Sequence, residues 1–94
     1  MKIKATHPGK ILKKKFLEAN DVSAYRLSQE INISQMTISR IVRGERGISV
    51  EMAVRLAKFL NTTPQFWLEM QNEYDIEVAK NELKDELKNI KKLG

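Results

Sequence analysis

Apolar residues recur along this chain at intervals of three and four, the period of an α-helix. Between Ser23 and Gly44 they form two short stripes. Leu27 and Ile31 share one face of a first helix, and Ile38, Ile41 and Val42 share one face of a second. Asn32 and Ile33 fall between them, and Asn is the commonest non-glycine residue where φ must turn positive. Ser34 stands where an N-cap belongs, and Gly44 stands where a C′ glycine closes a helix. The pattern predicts a helix-turn-helix over residues 23–44, with residues 34–43 as its second helix.

The flanking segments read as helices too. His7 and Pro8 open the first one, since Pro is favoured at N1 and leaves His7 as N-cap. Ile11, Leu12, Phe16 and Ala19 give it an apolar stripe, and Asn20 and Asp21 break it. Ser49 caps a fourth helix, where Ala53, Leu56, Ala57 and Leu60 face inward and Arg55 and Lys58 sit outside. Glu51 in its first turn complements the helix dipole. Thr63 and Pro64 open a fifth. The expected fold is all-α with five helices.

The last helix carries two stripes. Trp67, Met70, Tyr74 and Val78 form one; Ile76, Ala79, Leu83, Leu87 and Ile90 form another, centred about 180° away at 100° per residue. One small core cannot satisfy both. The first stripe is expected to pack on the domain. For the second there are two expectations: a dimer or partner contact through Ile76, Leu83, Leu87 and Ile90, or a helix that bends near Asn81 and folds back. The organisation expected is a helix-turn-helix domain over 1–72, continuous with a C-terminal helix over 64–94.

Length and charge sharpen this picture. Ninety-four residues suit one domain with a modest core. With no cysteine, disulfides and thiolate metal sites drop out, and a reducing cytoplasm fits. The opening MKIKATHPGK lacks the apolar centre of a signal peptide, and no run approaches a membrane span. The net charge of +5 is unevenly spread. Residues 1–20 hold six lysines and one acid, residues 21–60 six basic and four acidic residues, and residues 61–94 five lysines and seven acids. The basic part coincides with the helix-turn-helix half, as a phosphate-binding face would.

The polar side of the second helix of the motif suits a DNA major groove. Gln35, Met36, Thr37, Ser39, Arg40 and Arg43 lie off its apolar stripe, and none is acidic. Arg can pair bidentately with guanine and Gln with adenine, while a Met or Thr methyl can touch thymine. Lys10, Lys13, Lys14 and Lys15 crowd the first helix, where they serve either phosphate contact or plain solubility. Arg46, in a loop between two glycines, either touches the DNA backbone or caps the preceding helix. No catalytic constellation stands out: His7 has no cysteine partner, and there is no phosphate-cradling glycine loop, HExxH or metal-ligand spacing. No enzyme, metal, cofactor or small-molecule substrate is expected.

Three stretches together carry a resemblance: THPGKIL at 6–12, RIVRGERGIS at 40–49, and AVRLAKFLNTTPQFWLEMQNEYDIEVAK at 53–80. They resemble the HigA/VapI-type antitoxins, within the wider lambda-repressor-like, or XRE, helix-turn-helix group. The resemblance implies a dimer that binds a palindromic operator in double-stranded DNA and represses its own operon. It also implies a partner toxin, a small basic RelE-like (HigB-type) ribonuclease silenced by direct binding. The family's base-reading positions fall on Gln35, Met36, Thr37 and Arg40, and its phosphate-contacting positions near Ser23, Ser34, Ser39 and Arg43. Lys10 replaces a usual Glu, Ser28 a usual Ala, and Asn32 a usual turn Gly. The alternative function is a solitary XRE-type regulator without a toxin.

Overall fold

The computed structural model describes residues 4–94, so residues 1–3 of the expected domain lie outside the described residues. Helix α1 (Pro8–Ile11) runs on into a π-helical stretch (Leu12–Glu18); α2 (Ala24–Ile31), α3 (Gln35–Val42), α4 (Val50–Leu60), α5 (Pro64–Glu82) and α6 (Lys84–Leu87) follow. The N-caps expected at Ser34, Ser49 and Thr63 are in place, and Ser23 supplies a further one for α2. The side chains of Ser23, Ser34, Ser49 and Thr63 accept hydrogen bonds from the N–H groups of Arg26, Thr37, Met52 and Phe66 at 3.0 to 3.2 Å. Asn32 closes α2 in the left-handed conformation (φ 56°), and Asn61 does the same for α4. The fold is a five-helix, lambda-repressor-like domain with α6 as a short addition.

The first helix departs from the expected spacing. Leu12 and Leu17 are buried, five residues apart, while Ala19 is exposed. A π-helix bonds i to i+5, so its wider turn brings Leu17 rather than Ala19 to the inner face. Phe16, half-buried, still meets Trp67 at 5.2 Å between ring centroids. Trp67 is fully buried and its indole N–H donates to Thr62 Oγ1 at 2.8 Å. Phe66 packs edge-on against it at 5.0 Å. Removing a buried Trp side chain costs roughly 3–5 kcal/mol, which makes this aromatic cluster the main anchor of α5.

Several polar residues do structural work. Arg55, expected outside, is half-buried: its Nη1 donates to the carbonyl of Ile31 at 2.8 Å and satisfies the end of α2. Buried Ser28 donates its hydroxyl to the Tyr25 carbonyl at 2.6 Å, so the departure from Ala leaves no unmet polar atom. The Glu77 carboxylate accepts the N–H groups of Lys4 and Ala5, each at 2.6 Å, and ties the N-terminal segment to α5. Those two bonds, Lys4 first, hold its carboxyl below the usual carboxylate range.

The C-terminal end corrects one expectation. The helix is not continuous through 94: it breaks at Leu83 (φ −98°, ψ 5°), resumes as α6 and ends at Leu87, leaving Ile90 beyond it. It does not fold back either, since residues 82–94 are all exposed. The molecule is accordingly elongated, 51 Å by 25 Å by 21 Å.

Gly9 is where α1 meets α3. A Cβ there would overlap the carbonyl oxygen of Ile41 and stand 2.7 Å from its carbonyl carbon. At an uncrowded helical site Gly→Ala stabilises by about 0.4–1 kcal/mol through the unfolded chain. Here the collision reverses the sign. Gly9→Ala is expected to destabilise by on the order of 3 kcal/mol, lowering the melting temperature by roughly 10–20 °C. A melting curve equal to the parent's would show that α1 can lift from α3 at no cost.

His7 caps α1 with Nδ1, which accepts the Gly9 N–H at 2.9 Å, and its ring meets Tyr74 edge-on at 4.9 Å. Burial lowers its pKa from the ordinary 6.5, and the nearby Asp75 carboxylate opposes that only in part. The unfolded chain therefore binds this proton more readily than the fold does. The stability His7 contributes is complete above about 6.5 and drains as the pH falls through the folded value. His7→Gln, which keeps an acceptor but does not titrate, is expected to flatten the melting temperature between neutral and mildly acidic pH. An unchanged pH dependence would assign the effect to other groups.

Candidate nucleic-acid interface

The motif presents α3 on the surface. Ile38 and Ile41 are each 1% exposed, and they fix its inner face against α1 and α2. Ser34 both accepts from the Thr37 N–H at 3.1 Å and donates its hydroxyl to Thr37 Oγ1 at 2.8 Å. At the other end the N–H groups of Gly44 and Glu45 donate to the carbonyls of Ile41 and Arg40 at 3.0 and 2.8 Å. That double bond pattern, with Gly44 at φ 76°, is a Schellman closure. A helix of two turns is thus locked at both termini.

The side chains assigned to base reading are not equivalent. Gln35, Met36 and Arg40 are exposed, Met36 at 65%, whereas Thr37 is half-buried. The Thr37 hydroxyl accepts from Ser34 but keeps its own proton and its methyl for an outside partner. Arg40 makes no ion pair among the described residues. An exposed, unpaired guanidinium flanked by an amide and a thioether can pair with a guanine edge while its neighbours meet adenine and thymine.

The candidate phosphate residues divide in the same way. Ser23 and Ser34 sit at the N-termini of α2 and α3, where helix dipoles favour an anion. Ser39 is half-buried and lines a cleft of about 310 Å³ together with Lys13, Val22, Ala24 and Arg43. Arg43 is held by Glu45: its Nε lies 3.0 Å from Oε2 and its Nη2 3.4 Å from Oε1. Arg46 is exposed and takes no part in capping α3, which Gly44 and Glu45 close through their backbone. Lys10, Lys13, Lys14 and Lys15 are exposed, Lys13 pairing loosely with Glu18 at 4.0 Å.

One supporting residue escaped the sequence reading. Gln71 on α5 is buried, accepts the Ile48 N–H at 2.8 Å and donates to Asp75 at 2.9 Å. It thereby pins the loop that follows α3. The polarity of Gln71 hid this role; its place one residue beyond Met70, on the packed side of the helix, was the available signal. Further along the chain, Ile76, Leu83, Leu87 and Ile90 are 54%, 42%, 43% and 68% exposed. Among the described residues no group of His, Cys, Asp and Glu could hold a metal ion, and no helix is long and apolar enough to cross a membrane.

Comparison with known proteins agrees with this geometry. The helix-turn-helix family model matches residues 13–67. Virulence-associated protein I of Dichelobacter nodosus is 37% identical over 78 residues, covering 83% of this chain and 72% of the relative. Antitoxin HigA-1 of Vibrio cholerae is 31% identical over 85 residues, 90% of this chain and 80% of the relative. Among solved structures, the Pseudomonas aeruginosa antitoxin HigA with the higBA promoter superposes with a TM-score of 0.92 at 36% identity, over 97% of this chain and all (100%) of that one. The antitoxin GraA in complex with its operator gives 0.91 at 33% identity, over 100% of this chain and 96% of that one. The chain therefore belongs to the helix-turn-helix family, in its HigA/VapI/XRE branch of antitoxins and transcriptional regulators rather than among enzymes.

Proposed function

We propose that this protein is a dimeric, sequence-specific DNA-binding autorepressor that is also the antitoxin of a type II toxin–antitoxin pair. Its partner in that reading is a small basic RelE-like (HigB-type) ribonuclease, neutralised by direct binding. The observation that carries the DNA-binding part is the outer face of α3, which is exposed, free of acids and rigidly capped at both ends. Similar chains solved with promoter and operator DNA support it. The excess of acids over lysines in residues 61–94 suits a basic protein partner better than DNA. A reading frame for a small basic protein next to this one would separate the antitoxin from a solitary XRE-type regulator.

In this reading Gln35, Met36, Thr37 and Arg40 read bases, and Ser23, Ser34, Ser39, Arg43 and Arg46 hold phosphates. One such helix per chain calls for a palindrome with half-sites about one helical turn, ~34 Å, apart. Arg40→Ala is expected to cost on the order of 1–3 kcal/mol and to relax preference at one base position. Binding-site selection on randomised duplexes measures this. Uniform weakening across all sequences would make Arg40 a phosphate contact instead.

The apolar residues beyond the domain supply the pairing surface. Ile76, Leu83, Leu87 and Ile90 stand exposed in succession, a patch that soluble monomers generally avoid. A two-fold contact would bury the same patch on both chains. Leu83→Glu combined with Leu87→Glu is expected to shift the protein toward monomer and weaken binding to its own upstream DNA. The domain should keep its fold, because neither side chain belongs to the core. Sedimentation decides: a double variant as dimeric as the parent places the pairing elsewhere.

A further inference from the structure

The two arginines of the interface differ in one respect. Arg40 is unpaired among the described residues, whereas Arg43 has one edge of its guanidinium, the Nε and Nη2 fork, engaged by a single carboxylate. That carboxylate is the acid nearest the recognition helix in sequence, and it is placed there by backbone geometry. Arg43 is the C-cap of α3, Gly44 reverses the chain at φ 76°, and the Glu45 N–H is bonded to the Arg40 carbonyl at 2.8 Å. Glu45 is therefore the C″ residue of a Schellman motif, and its Cα is fixed relative to the helix. Its side chain has a short reach back to Arg43.

Resting on the DNA-binding reading, we propose that Glu45 is a built-in competitor for DNA phosphate at Arg43. A carboxylate and a phosphate oxygen pair use the same forked N–H donors. In the free protein Glu45 fills that fork, and on DNA the phosphate displaces it. The displaced Glu45 then stands as a negative charge beside the backbone. Both partners are more than half exposed, at 58% and 55%, so the pair opens readily. Because phosphates are alike in every sequence, the competition lowers affinity for all duplexes together. It leaves discrimination to Arg40 and its neighbours.

Three variants test this: Glu45→Gln, Arg43→Gln and the two combined. The probes are a labelled duplex carrying the DNA upstream of the protein's own reading frame and a duplex of scrambled sequence. Glu45→Gln is expected to tighten both by a similar factor, roughly threefold to tenfold at low salt, and to steepen the salt dependence by up to about 0.9 in log–log slope. In the Arg43→Gln background the same change should lose most of its effect. The melting temperature should stay near the parent's, since the helix cap is made by backbone atoms.

An equal gain with and without Arg43 would overturn the proposal, leaving Glu45 as a charge acting through space. Unchanged or weaker binding by Glu45→Gln would overturn it too, since the carboxylate would then be indifferent or would aim Arg43 at its phosphate. A parent protein that bound neither duplex at low ionic strength would sink the DNA-binding reading and this inference with it.

Discussion

The contact between Gly9 and the backbone of Ile41 sets the geometry on which the rest depends. Helix backbones approach this closely only where one side has no Cβ, and the approach here brings the N-terminus of α1 onto the C-terminal turn of α3. Both elements around the contact are constrained in turn. Pro8 and the His7 cap fix how α1 begins, and Ile38 and Ile41 fix which face of α3 turns inward. With the inner face committed, Gln35, Met36 and Arg40 can point only outward. The function-bearing surface is thus a consequence of a packing constraint on its reverse side.

Helix α5 reinforces that constraint from a distance. Tyr74 meets the His7 ring, Gln71 holds the loop after α3, and Glu77 receives the backbone of Lys4 and Ala5. These three side chains lie within two turns of one helix, on the side that Trp67 anchors. The helix that steadies the N-terminal segment and the recognition loop also carries Ile76, the first of the exposed apolar residues; Leu83 closes it, Leu87 lies on α6 and Ile90 beyond.

What could be read from the sequence was what local chemistry determines. Ser34, Ser49 and Thr63 at their caps, Asn32 at positive φ and Gly44 at the helix end each answer a requirement met within four residues. Ile38, Ile41, Leu56 and Trp67 followed from the 3.6-residue period. The π-helical stretch did not, because a spacing of five between Leu12 and Leu17 mimics no regular α-helical face. Arg55, Gln71 and Glu77 were equally hidden. Their partners are backbone groups 23 to 73 residues away, which only the tertiary fold supplies. In the candidate interface the identity of the outward residues was legible. The division between free Arg40 and occupied Arg43 was not, since it depends on where Gly44 turns the chain.

The size of α3 bears on why a second copy is needed. Eight residues in two turns offer four outward positions for base contact, one of which, Thr37, is half-buried and already accepts a hydrogen bond from Ser34. Only Gln35 and Arg40 among them can pair bidentately with a base, so at about 1–3 kcal/mol for each such pair a single helix supplies about 2–6 kcal/mol of the roughly 4–10 kcal/mol that separates specific from non-specific binding. Added phosphate contacts cannot close that gap, because they strengthen every sequence alike. Doubling the reading head can, as two-fold pairing doubles the base contacts while fixing their separation. Ile76, Leu83, Leu87 and Ile90 stand exposed outside the core, and using them for pairing would turn an adhesive surface into the source of sequence discrimination.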